Sequence, residues 1–214
     1  NCKCIRQGRS YMREVRGDMK VGKICYIMGK SASGKDSILK ELKCRFSEYK
    51  GVVLYTTRPI REGETDGVEY HFVEEDRLCE LEREGRVIEQ RAYQTRHGIW
   101  RYFTVDDGQI DLQGNNYLMI GTLESYEKMR NYFGKDVMVP VYVEVEDGER
   151  LKRALVRERM QKEPKYAEMC RRFLADETDF SEENLKRAGI DKKFQNMNLM
   201  ECINEIGVYL QEEM

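Results

Sequence analysis

One stretch constrains this 214-residue chain more than any other. Lys23-Ile-Cys-Tyr-Ile-Met28 reads as a buried strand. Gly29-Lys-Ser-Ala-Ser-Gly34-Lys35-Asp36-Ser37 follows, and then Ile38, Leu39, Leu42 and Phe46 recur at helical spacing. Strand, glycine loop and helix in that order are what a Gly-x4-Gly-Lys phosphate cradle requires. Gly29 and Gly34 read as positions whose backbone angles a Cβ would forbid. The N–H groups around them converge at a helix N-terminus, where the dipole favours anions. The candidate phosphate-binding residues are Gly29, Ser31, Ala32, Ser33, Gly34, Lys35, Asp36 and Ser37. Lys35 stands where its ammonium reaches terminal phosphates. The competing reading is an ordinary Gly/Ser turn. The position after the lysine breaks the pattern: a Ser or Thr hydroxyl is expected there as a Mg²⁺ ligand, and the chain has Asp36.

The rest of the chain supplies the frame. Its length suits one compact domain with insertions. With 37 Lys+Arg against 39 Asp+Glu, the charge balance argues against a general nucleic-acid binder. The longest apolar run, near 137–143, falls far short of the ~20 residues of a membrane span. Seven scattered cysteines with no Cys-x-x-Cys argue against zinc or a disulfide framework; reduced, mostly buried thiols in a cytoplasmic protein are expected. Residues 1–18 are polar and arginine-bearing, and are expected to be a dispensable, disordered basic extension. Gly51-Val-Val-Leu-Tyr55 reads as a second strand, followed by a structured loop punctuated by Pro59, Gly63 and Gly67. Tyr117–Ile120 and Val137–Val145 read as buried strands around a helix at about 123–133. Strands alternating with helices predict an α/β fold with a parallel sheet covered on both faces. One or two helices span 149–177, interrupted near Pro164, and residues 150–172 carry nine basic and three acidic side chains. A short strand at 193–197 and an amphipathic helix end the chain.

The loop after the second strand carries Thr56-Thr57-Arg58, Arg61, Gly63-Glu64, Asp66-Gly67, Tyr70 and Phe72. In spacing and identity it resembles the nucleotide-binding segment of the guanylate kinase family. The phosphate loop, Val87-Ile-Glu89 and Asn196 extend the resemblance over about residues 20–212. It implies a three-layer P-loop α/β core, a small nucleoside-monophosphate insertion at about 55–104 and a helical lid at about 150–180. It implies phosphoryl transfer from ATP, with Mg²⁺, to GMP or dGMP in a cytoplasmic monomer or homodimer that needs neither nucleic acid nor membrane. The physical reading agrees: Arg58 and Arg61 offer forked donors to a dianionic phosphate, and the Tyr70 hydroxyl completes the contact. Glu89 would accept from guanine N1–H and the 2-amino group together. The alternatives are surface arginines paired with Glu62 and Glu64, and a solvated strand glutamate. By the resemblance, Asn196 lies at the ATP base, and lid arginines close over the transferred group. Arg157 and Arg172 fit that role best, with Arg159 and Arg171 as neighbours; the alternative is a solvated helix face with pairs such as Glu168–Arg172.

Five positions depart from the family pattern. Asp36 replaces the metal-binding hydroxyl, and Asp36 is itself the candidate metal ligand, since carboxylate oxygens suit Mg²⁺. Ile120 and Thr122 stand where the family has two aspartates. Leu54 stands for a serine near guanine, and His97-Gly98 for a tyrosine-glycine. A kinase for another nucleoside monophosphate and a non-catalytic interaction module are the rival readings.

Overall fold

The computed structural model describes residues 21–95 and 98–214; the extension at 1–18 and His97 lie outside the described residues. In chain order the elements are β1 (Ile24–Met28), α1 (Lys35–Arg45), β2 (Lys50–Gly51), β3 (Tyr55–Thr56), β4 (His71–Phe72), α2 (Glu75–Arg83), β5 (Val87–Thr95) and β6 (Gly98–Val105). They continue with β7 (Tyr117–Gly121), α3 (Leu123–Phe133), β8 (Met138–Glu144), α4 (Asp147–Arg159), α5 (Tyr166–Asp179), α6 (Glu182–Arg187), β9 (Lys193–Gln195) and α7 (Leu199–Glu213).

The central sheet runs β2-β7-β1-β8-β9, and every pairing in it is parallel. Parallel strands must be covered on both faces, and β1 shows how the sequence meets that demand. Ile24, Tyr26 and Met28 point into one core, with Leu123, Tyr126 and Met129 of α3 and Leu185 of α6. Cys25 and Ile27 point into the other, with Ile38 and Leu42 of α1 and Ile203, Ile206 and Leu210 of α7. This is the expected α/β fold with a parallel sheet. Its strands end at the phosphate loop on β1 and at the turn from β7 into α3.

Residues 55–105 build a second sheet, in the order β4-β3-β6-β5, with β5 and β6 as a long antiparallel hairpin. Its own small core holds Leu78, Leu81, Phe103 and Val105. Here the strand expected at 51–55 divides. Lys50–Gly51 pairs with β7 in the central sheet, whereas Tyr55–Thr56 belongs to the second sheet. Val52 and Leu54 lie between, packed against the main core. The expected terminal strand ends at Gln195 rather than 197, and Asn196 next to it bonds the phosphate loop through its side chain. Of the five described cysteines only Cys25 and Cys202 are buried; Cys44, Cys79 and Cys170 sit on outer helix faces, so the expectation of mostly buried thiols does not hold. No described helix is long and apolar enough to cross a membrane.

Candidate active site

The phosphate loop is shaped by close approaches. Gly34 has φ +86° and caps α1, so it needs the freedom of glycine. A Cβ there would also lie 2.5 Å from Asn196 Nδ2. Gly29 is different: its φ is not in the left-handed region. It is required by space, since a Cβ would stand 2.5 Å from the Val143 carbonyl oxygen and 2.9 Å from Ser33 Oγ. Ala32 adopts φ +63°, a conformation a bulkier or β-branched residue resists more. Two bonds close the loop: Ser33 N–H to Lys30 O at 3.2 Å, and Asn196 Nδ2 to Ser33 O at 2.8 Å. Asn196 is buried and so braces the loop from below. Ser33 Oγ is buried without a hydrogen-bond partner among the described residues.

Acidic and basic side chains both converge on this loop. Burial pushes the Lys35 ammonium down from its usual range; Asp36 and Asp176 oppose that, while Arg157 and Arg172 add to it. The field at Lys35 therefore already includes both of the lid arginines favoured from the sequence. Arg171 is instead forked onto Glu168, at 2.8 and 2.7 Å, and Arg172 keeps only a loose 3.8 Å approach to the same carboxylate. Arg159 is exposed at the end of α4. Asp36 is exposed in the first turn of α1. Among the described residues no group of three or more His, Cys, Asp or Glu side chains is disposed around a metal ion.

A second network ties α4 and α5 to the loop, and nothing in the sequence pattern pointed to its long-range contacts. Arg150 is fully buried. It donates to Asp147 at 2.8 and 3.0 Å, to Glu177 at 2.6 Å and to Ser31 O at 3.3 Å, and it lies over the Phe173 ring. Asp176 accepts from Ser31 N–H at 2.7 Å, and Glu177 from Lys30 at 2.8 Å. The Asp147–Arg150 spacing of three on a helix was the legible part; the partners more than a hundred residues away were not.

The loop between β3 and β4 is knitted by its own carboxylates. Glu64 accepts from Arg58 Nη1 and Nη2, each at 2.8 Å, and from Arg61 N–H at 2.8 Å. Asp66 accepts from Phe72 N–H at 2.7 Å, and Glu69 from Thr65 N–H at 2.7 Å. The hydrogen bonds from Arg58 pull the Glu64 carboxyl down to about 2. The Arg58–Glu64 pair anticipated as an alternative thus exists, but it joins a buried arginine to its loop rather than two surface chains. Arg58 is gripped between the rings of Tyr70 and Phe72, 5.4 and 5.2 Å from their centroids. Its Nη1/Nη2 edge is taken. Nε is buried and makes no well-aligned hydrogen bond among the described residues, although the Tyr102 hydroxyl lies close enough to act on the guanidinium. Arg61 is exposed beside the Trp100 ring.

On β5, Glu89 is 3% exposed. It accepts from Thr104 Oγ1 at 2.8 Å and is flanked by Arg91, which the sequence reading passed over. The signal was available: residues two apart on a strand share a face. Two of the departures have structural roles. Leu54 packs on the main core. Thr122 caps α3 in a reciprocal pair with Ser125. Ser125 Oγ also meets Tyr26 OH at 2.6 Å.

The family model for guanylate kinase matches residues 22–98. The guanylate kinase of Sulfurimonas denitrificans is 50% identical over 56 residues, 26% of this chain and 27% of that protein. The guanylate kinase of Desulfotalea psychrophila is 37% identical over 110 residues, 47% of this chain and 54% of that protein. The chain thus spans about half the length, or less, of the curated relatives it matches. The crystal structure of guanylate kinase from Anaplasma phagocytophilum is similar with a TM-score of 0.63 at 18% identity, over 92% of this chain and 89% of that one. At that identity the likeness is one of fold.

Proposed function

We propose, from the match of residues 22–98 to the guanylate kinase family model, that the chain transfers the terminal phosphoryl group of ATP to a nucleoside monophosphate, GMP or dGMP first among them. The observation that carries the proposal is Arg58. A buried guanidinium with one edge bound to Glu64 and Nε without a well-aligned hydrogen bond is a donor held ready for an anion. Arg61 and Tyr70 flank it and complete the clamp on the acceptor phosphate.

The phosphate loop holds the triphosphate through its N–H groups at the start of α1. Lys35, Arg157 and Arg172 face the charge that spreads over the transferred group. Positioning and charge stabilisation carry such a transfer, so no covalent intermediate is required. Asn196 acts through the loop, by holding Ser33 O. Asp36 fits a divalent cation by the chemistry of its donor: it is an exposed carboxylate at the end of the loop, and Mg²⁺ is commonly held by one or two carboxylates together with substrate phosphates. The ion, when bound, neutralises charge on the phosphate oxygens. Thr122 and Ile120 bring no carboxylate to this place, which leaves the role to Asp36.

A transfer assay with ATP, Mg²⁺ and a panel of monophosphates tests the proposal. Turnover of at least one monophosphate is expected, abolished in Asp36→Ala and measurable in Asp36→Ser. No turnover with any monophosphate sinks the proposal and leaves the interaction-module reading. Tight binding of metal-free ATP would remove Asp36 from its metal role.

A further inference from the structure

The base corner holds more than one glutamate. Glu89 and Arg91 lie on the same face of β5, opposite Thr104 and Tyr102 of β6 in register. Glu89 Oε1 accepts from Thr104 Oγ1 at 2.8 Å and from Arg91 Nη2 at 3.3 Å. Two donors fill the lone pairs of that oxygen. Glu89 Oε2 lies 3.2 Å from Arg91 Nε, close enough for an ion pair but with a direction that makes no hydrogen bond. Both atoms are buried, and neither has a hydrogen-bond partner among the described residues. An unmet acceptor therefore stands beside an unmet donor. Buried polar groups in that condition ask for a partner.

A carboxylate that reads guanine through N1–H and the 2-amino group together must present both oxygens. Glu89 presents only Oε2. The complement of an acceptor beside a donor is a lactam edge, an N–H next to a carbonyl. We infer that Glu89 and Arg91 together read the lactam edge of a 6-oxopurine monophosphate, with N1–H donating to Glu89 Oε2 and O6 accepting from Arg91 Nε. The 2-amino group is then dispensable, and inosine monophosphate is a substrate alongside GMP. Adenine presents the reverse edge, an acceptor at N1 and a donor at the 6-amino group, and is excluded by the same logic that governs base-edge readout. Arg91 is in this account the residue that sets base choice. The inference rests on the phosphotransfer reading for its substrate class, but the readout itself is a matter of binding.

The test is calorimetric binding and coupled turnover of GMP, IMP and AMP on the full unmutated chain with ATP and Mg²⁺. GMP and IMP are expected to agree within about threefold in Kd and kcat/KM, with AMP weaker by about a hundredfold. Losing a hydrogen bond to a charged group would weaken IMP by roughly tenfold or more; that result would show the 2-amino group being read and would overturn the inference while leaving phosphotransfer intact. Equal binding of GMP and IMP without turnover of either would uphold the edge readout and overturn phosphotransfer. Binding of none, or of AMP equally, would overturn the inference. In Arg91→Ala, Glu89 is free for the twin donors of guanine, and a preference for GMP over IMP of about tenfold should emerge. Arg91→Gln keeps a side-chain donor and the fold, and should retain most of the parity. An unchanged ratio in both folded variants removes Arg91 from the role.

Discussion

The glycine loop before α1 and the loop between β3 and β4, the two phosphate sites proposed above, are held in different ways. At the phosphate loop the supports come from far along the chain: Val143 limits Gly29, Asn196 holds Ser33 O, and Asp176 receives the Ser31 N–H. At the monophosphate loop the supports are local. Glu64, six residues on, carries Arg58 and the Arg61 N–H, and Asp66 ties to Phe72. A loop that meets phosphate with main-chain N–H groups cannot use its side chains to shape itself, so other elements must. A loop that meets phosphate with side chains can shape itself with neighbouring carboxylates.

The largest expected effects separate the two loops. Lys35→Ala should lower turnover by about 10²–10³-fold, in the range for losing one preorganised charge-stabilising group. Because burial already disfavours the Lys35 ammonium, the melting temperature should hold or rise. Arg58→Ala should raise KM for the monophosphate and lower turnover while leaving ATP affinity unchanged, and should lower the melting temperature, because Glu64 loses its buried partner. Steady-state kinetics with each substrate varied in turn, alongside thermal melts, would break the comparison if ATP affinity fell in Arg58→Ala.

A middle-sized effect is expected of Asn196→Ala. It removes a buried hydrogen bond and leaves Ser33 O unmet, a cost of about 1–3 kcal/mol, read as a drop of roughly 2–4 °C in Tm per kcal/mol for a chain of this size. ATP affinity should fall with it and monophosphate affinity should not. An equal loss of both would mean that the two loops are coupled.

The smallest effect is in pH. Arg58 draws the Glu64 carboxyl from 4.5 to about 2. A depressed carboxyl contributes stability above its unfolded value and loses it as pH falls through the folded one, so the loop should keep its Glu64 contacts at pH 4.5 and lose them toward pH 2. A carboxyl-carbon titration should find Glu64 near the low value in the unmutated protein and near 4.5 in Arg58→Ala. A normal titration in both would show that the local pair does not hold in solution.

Much of the site was legible because its patterns are short-range. The phosphate loop announces itself by a glycine, a lysine and a strand-to-helix switch. Gly63 and Gly67, read as turn punctuation, adopt φ of +85° and +79°. Thr122 was measured against an aspartate position and its role as a helix cap was missed, although Thr122-x-x-Ser125 spans the first turn of a helix. The division of 50–56 between two sheets was invisible, since one apolar run reads alike whichever strand it joins.

Sequence by itself determined the alternation of strands and helices, the strand–glycine loop–helix order of the phosphate cradle and the turns at Gly63 and Gly67, because each depends on residues within a turn or two of one another. Tertiary structure alone decided that Asn196 lies under Ser33, that Arg150 is buried among Asp147, Asp176 and Glu177, and that Glu89 meets Thr104 across the hairpin beside Arg91. Hydrogen bonds and ion pairs act over a few ångströms whatever the separation along the chain. Which distant groups come within that range is set by strand register and helix packing, and periodicity in the sequence does not encode either.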